Sequence, residues 1–101
     1  MSVRSEKSAD GNEVVIGVSG RFDYSVHQDF RKAYEQAAGG NTRYVLDLDK
    51  TEYLDSSALG MLLLLREYAG GTRADVRIVN CREGIMKILN TANFQKLFSI
   101  Q

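Results

Sequence analysis

Hydrophobic and polar positions along this 101-residue chain recur at two spacings, every second residue in some segments and every third or fourth in others. Alternation marks strands, and the longer period marks helices with one buried side. Residues 13–19 give the clearest strand, with Val14, Ile16 and Val18 on one face and Gly20 ending it. A short strand over residues 3–7 precedes it, joined through the tight hairpin turn Ala9-Asp10-Gly11-Asn12. Residues 43–49 alternate Tyr44, Leu46 and Leu48 with Asp47 and Asp49. Residues 74–80 carry Val76, Ile78 and Val79, and residues 97–100 close as a final short strand. Between the strands, Ser25 with Gln28 three positions on reads as a capping box. Val26, Phe30, Ala33, Tyr34 and Ala37 then follow at helical spacing up to a stop at Gly39-Gly40. A second helix covers residues 57–69 and stops at Gly70-Gly71. A third covers residues 82–89 on the apolar side chains Ile85, Met86 and Leu89, with residues 90–93 as its capping turn. Alternating strands and helices predict one α/β domain over residues 1–101. Its mixed, mostly parallel sheet of four to five strands packs with three to four helices, and the opening hairpin forms an antiparallel edge.

Composition narrows the function classes. Thirteen basic and thirteen acidic residues cancel, so no broad electrostatic grip on nucleic acid or anionic lipid is predicted. A single phosphate, carrying about −1.5 to −2 charges, would be a large change against that balance. Cys81 is the only cysteine, which excludes an intramolecular disulfide or a cysteine-based metal site and suits a small, half-buried apolar role. The first residues lack a signal-type apolar core, and the longest apolar run, residues 58–65 interrupted by Gly60, is too short to span a bilayer. The expectation is a cytoplasmic protein that is monomeric when free.

The candidate chemistry lies in Tyr53-Leu54-Asp55-Ser56-Ser57-Ala58-Leu59-Gly60-Met61, where two hydroxyls and a carboxylate stand before an apolar helix. The first N–H groups of a helix lack intrahelical partners and make that end locally positive. Ser56 there serves as a cap, and the same position receives a phosphate well. Ser57 falls within the first turn and is the second-ranked acceptor. Asp55 is expected to hold the turn by accepting backbone N–H bonds. With Leu59, Leu62, Leu63 and Leu65 in the core and Met61 and Leu64 added, the helix is apolar around most of its circumference. It is therefore either buried on nearly all sides or keeps an apolar strip for a partner.

Asp-Ser-Ser-Ala-Leu-Gly, after an apolar strand and before a Leu-rich helix, resembles the phosphorylation segment of bacterial anti-sigma factor antagonists, the stand-alone members of the STAS domain family. Gly20-Arg21-Phe22-Asp23 resembles a second element of that family, and the likeness runs over roughly residues 13–100. The resemblance implies Ser56 as phosphoacceptor and a binding switch that is not itself an enzyme. Its unphosphorylated form would hold an anti-sigma factor or Ser/Thr switch kinase, and a metal-dependent Ser/Thr phosphatase would restore that form, with a second regulatory protein as a further partner. It also makes Asp23 a partner-contact residue, alongside a turn-forming role for the same side chain. The expected contact patch is Asp23, Asp55, Ser57, Ala58, Met61, Leu62 and Leu65. Longer family members add a C-terminal helix, so the surface it would cover is expected to be exposed here or used by a partner.

Two rival readings have a sequence basis. One is an adaptor that docks on a sensor or a cyclic-dinucleotide enzyme; the other is a small phosphotransfer or hydrolytic enzyme using Asp55 and Ser56 itself. The enzyme reading lacks a general base. His27 is the only histidine, and Leu54 stands where a nucleophile elbow needs glycine. Asp47, Asp49 and Asp55 could be read as a receiver-like magnesium pocket, but Asp47 and Asp49 fit the polar face of a half-exposed strand, and the paired acids near the first strand are missing. No phosphate-binding glycine loop occurs. The sequence thus predicts no catalytic residues, no cofactor and no metal.

Overall fold

A computed structural model describes residues 2–36 and 42–101. In chain order the strands are β1 (Val3–Lys7), β2 (Glu13–Val18), β3 (Gly20–Phe22), β4 (Arg43–Asp47), β5 (Thr51–Leu54), β6 (Val76–Val79) and β7 (Ser99–Ile100). The helices are α1 (His27–Glu35), α2 (Ser56–Ala69) and α3 (Glu83–Thr91), with 3-10 turns at Tyr24–Val26, Gly71–Arg73 and Phe94–Lys96. Five strands form a sheet in the order β1-β2-β4-β6-β7, antiparallel between β1 and β2 and parallel elsewhere, while β3 and β5 form a separate parallel ribbon. This is the small α/β domain with a mostly parallel mixed sheet that the alternation predicted.

Side-chain parity decides which face is covered. Val14, Ile16, Tyr44, Leu46, Val76 and Ile78 point to the buried side, where they meet Phe30 and Tyr34 of α1, Leu62 and Leu65 of α2, and Ile85 and Leu89 of α3. The other face carries half-buried Val15, Val45 and Val79 and has no helix over it among the described residues. On this open face Arg4 lies flat over Gly17. A Cβ there would come 2.6 Å from the guanidinium carbon, so only glycine lets Arg4 cross β2 and reach the Asp47 carboxylate at 3.3 Å.

Several element boundaries differ from the sequence expectation. Gly20 does not end a strand. It opens β3 at φ +77, a conformation glycine adopts without strain, and its N–H donates to the Lys50 carbonyl at 2.8 Å to start the ribbon. The capping box at Ser25 does not form. Asp23 caps the 3-10 turn instead, accepting from both the Ser25 N–H and its hydroxyl, and α1 begins two residues later. Ala37 and the stop at Gly39-Gly40 lie outside the described residues. The expected strand over residues 43–49 stops at Asp47, and Asp49 sits in a turn whose N–H donates to Asp47. The chain then re-enters extended structure at Thr51, whose fully buried hydroxyl donates to the Val18 carbonyl at 2.6 Å. The strand over residues 74–80 shortens to Val76–Val79, and the closing strand to two residues. The third helix continues to Thr91 before Asn93 turns left-handed.

Candidate functional site

The ribbon positions the site. In its register Phe22 lies beside Leu54, so the next residues, Asp23 and Asp55, emerge side by side, and the Asp55 N–H donates to the Phe22 carbonyl at 3.4 Å. The two strand ends fold into near-copies of one turn. Asp23 Oδ1 accepts from the Ser25 hydroxyl at 2.5 Å and the Ser25 N–H at 3.0 Å. Asp55 Oδ1 accepts from the Ser57 hydroxyl at 2.6 Å and the Ala58 N–H at 3.1 Å. In Asp23-Tyr24-Ser25 and Asp55-Ser56-Ser57 the middle residue is left outside the turn, and both Tyr24 and Ser56 are exposed.

These bonds correct the cap assignment. Asp55, in extended conformation, is the N-cap of α2, and Ser56 is its first helical residue. Ser56 is already inside the helix and so cannot cap it, while the Asp55 carboxylate reaches the third N–H and gains from the positive helix end. The Ser57 hydroxyl is committed to Asp55 and half-buried, whereas among the described residues no hydrogen bond engages the exposed Ser56 hydroxyl. The Ser57 hydroxyl bond holds the Asp55 carboxyl below its ordinary value, against partial desolvation and the nearby charge of Asp23. The Ser25 hydroxyl bond does the same for Asp23, with help from Arg21 Nε at 3.2 Å. Both carboxylates are therefore ionised at neutral pH, and Asp23 lies close enough for its charge to interact with that of Asp55, which is next to Ser56 in sequence.

The apolar patch differs from expectation. Ala58, Met61, Leu62 and Leu65 are buried in the core and offer no surface to a partner. The exposed positions of α2 are Ser56, Gly60, Leu63, Leu64, Glu67 and Tyr68, which fall on one side of the helix at spacings of three and four. An uninterrupted leucine run hides this phase, because every residue of it looks equally suited to the core. Around the ribbon end stand further groups to which the sequence assigned no partner-contact role. The Arg21 guanidinium lies 4.2 Å above the Tyr53 ring, and Tyr24 stacks on His27 at 3.9 Å. His27 Nδ1 lies 2.9 Å from the Tyr24 carbonyl, a pairing that requires the hydrogen on that nitrogen.

The rival constellations are not assembled. Asp47 is committed to Arg4, Asn80 Nδ2 and the Asp49 N–H, and among the described residues no three acidic, histidine or cysteine side chains gather as a metal site. Burial pushes the half-buried Cys81 thiol above its ordinary value, away from reactivity. No helix among the described residues is long and apolar enough to cross a membrane.

The neighbours of this fold among solved structures include SpoIIAA and other anti-sigma factor antagonists. SpoIIAA of Bacillus in its unphosphorylated form matches with a TM-score of 0.73 at 17% identity, covering 98% of this chain and 86% of that one. The antisigma-factor antagonist STAS domain of Rhodobacter sphaeroides matches at 31% identity with a TM-score of 0.58, covering 77% of this chain and 84% of that one. A STAS-domain containing protein of Pseudomonas aeruginosa (strain UCBPP-PA14) is 53% identical over 100 residues, 99% of each chain. The family model described as "Mlab, STAS domain" matches residues 5–99. The chain belongs to the STAS domain family.

Proposed function

We propose that residues 1–101 act as one STAS domain, a cytoplasmic anti-sigma factor antagonist that is itself no enzyme and is switched by phosphorylation of Ser56. The unphosphorylated form binds an anti-sigma factor or Ser/Thr switch kinase and frees the regulator's target. A kinase closes the site, and a metal-dependent Ser/Thr phosphatase reopens it. The observation that carries this reading is the contrast between the two hydroxyls: Ser57 is spent on Asp55, and Ser56 is exposed and unbonded at the start of α2. A phosphate on Ser56 would leave the Asp55 cap intact, so the switch needs no refolding. Modification adds a dianion at the head of the exposed side of α2, where Leu63 and Leu64 supply apolar contact. Bringing that charge into a contact costs desolvation, and it repels acidic groups of the partner. SpoIIAA, known in both unphosphorylated and phosphorylated forms, supports the same logic for this fold.

The test is a pull-down from cells of the source organism with Ser56→Ala and Ser56→Asp, read by mass spectrometry, with phosphopeptide mapping in parallel. Ser56→Ala should fold and retain the partner, and Ser56→Asp should lose it. Phosphate mapped to Ser57, or equal capture by both variants, would sink the proposal. The adaptor reading predicts a different readout: two partners that exchange between the two variants.

A further inference from the structure

We propose that β1 is a self-complementary edge through which two copies of this chain pair antiparallel into one continuous sheet. β1 is the outer strand of the five-stranded sheet, and its five residues pair with β2 without a bulge. In an antiparallel ladder, successive residues turn both backbone groups alternately toward and away from the partner strand. The ends of the ladder fix which residues do which. The Ser19 N–H donates to the Ser2 carbonyl at 2.7 Å, and the Ser8 N–H donates to the Glu13 carbonyl at 2.8 Å. Ser2, Arg4, Glu6 and Ser8 therefore face β2, and Val3, Ser5 and Lys7 direct their N–H and C=O groups outward.

Natural edges are blunted by proline, bulges or charges that repel a second strand. β1 has neither proline nor bulge, and its charges are arranged to match themselves. A two-fold axis through Ser5 puts Ser5 opposite Ser5 of the second copy and Val3 opposite Lys7, both as hydrogen-bonding pairs. It also puts Arg4 opposite Glu6, twice. These two opposite-charge pairs fall on the open face, and forming them requires each Arg4 to swing from Asp47, with which it makes a part-exposed ion pair across β2, to the Glu6 of the second copy. Among the described residues Glu6 forms no ion pair, which leaves its carboxylate available to the second copy's Arg4. Cross-strand pairs of opposite charge favour this register over any shift by one residue. Five residues at about 3.4 Å each give an edge about 17 Å long, below a standard-size interface. The dimer is accordingly weak and forms at high concentration, replacing the simple monomer expected from the sequence.

The test is sedimentation of the intact protein from about 20 µM to about 1 mM, with amide spectra over the same range. The mass should rise toward the dimer, and concentration-dependent shifts should fall on the Val3, Ser5 and Lys7 amides. Glu6→Arg, which sets Arg opposite Arg, should weaken association at least about tenfold. The exchanged double variant Arg4→Glu/Glu6→Arg should restore it. Ser5→Pro removes an outward N–H without touching the β2 ladder, and it should stay monomeric while keeping its folded circular-dichroism spectrum. A monomer at every concentration, a dimer indifferent to Glu6→Arg, or shifts confined to Leu63 and Leu64 would overturn the proposal.

Discussion

Leu62 and Leu64, two residues apart on α2, separate what holds the domain together from what faces a partner. Leu62 is 0% exposed and packs in the core, whereas Leu64 is 61% exposed. Truncating a fully buried leucine loses its transfer free energy and leaves a cavity, so Leu62→Ala should cost about 2–5 kcal/mol. In a domain of this size each kcal/mol moves the thermal midpoint by about 4–8 °C, so a drop of at least about 8 °C is expected. Leu64 has already kept most of its surface in water, and Leu64→Ala should cost at most about 1 kcal/mol. Its effect belongs to the partner: about a tenfold loss of affinity, the lower range for an interface contact. Thermal unfolding followed by circular dichroism reads the first effect, and titration with the captured partner reads the second. Equal destabilisation by both substitutions would refute the burial phase of α2. Full partner affinity in Leu64→Ala would remove the exposed side of α2 from the docking surface.

Gly60 gives a second handle on the same surface. It sits mid-helix, and a Cβ there would meet nothing within 4 Å, so the domain's own packing does not demand glycine. Gly60→Ala should raise stability by up to about 1 kcal/mol and weaken partner binding by crowding a close approach; unchanged binding in a titration would mean the partner stays clear of Gly60. Acid stability follows from the two turn carboxylates, whose folded values lie below the ordinary 3.8. The unfolded chain then binds protons first as pH falls, so their contribution is fully present above about 3.8 and is lost as pH drops through the folded values. Denaturant midpoints measured down the acid range should fall less steeply in Asp23→Asn/Asp55→Asn than in the unaltered protein, and parallel curves would show that these carboxylates carry no linkage.

The fold was legible wherever a segment was long enough to show its period. β2 and the centre of β4 follow their alternation closely, and α1 and α3 follow their apolar spacing, whereas β1 buries only Val3 and is placed by its pairing with β2. β3 and β5 went unread because three or four residues such as Gly20-Arg21-Phe22 cannot display alternation, and their pairing is set by contacts distant in sequence. The site was legible in outline: Asp55, Ser56 and Asp23 stood out as residues, and the ribbon brings both acids to one end. The capping roles were misassigned because Ser and Asp are both good N-caps. The turn-holding role expected of Asp55 and of Asp23 is what the structure shows, Asp55 accepting from the Ala58 N–H and Asp23 from the Ser25 N–H, and the error lay in giving the caps to the serines. The surface of α2 was unreadable from Leu62-Leu63-Leu64-Leu65 alone, since a run of four leucines has no phase.

The committed Ser57 hydroxyl and the free one at Ser56 bear on how a modifying enzyme meets its target. The candidate acceptor is not in a pliable loop that can be drawn out and threaded through a catalytic cleft. It stands on the first turn of a fourteen-residue helix, pinned by Asp55 and backed by Leu62 and Leu65 in the core. Under the proposed switch, a kinase acting there would read a folded shape, with two acids and an aromatic rim at set positions, rather than a linear string of residues. A short synthetic peptide spanning Asp55 and Ser56 would carry the same letters and lack that shape, so it would be a far poorer substrate than the intact domain.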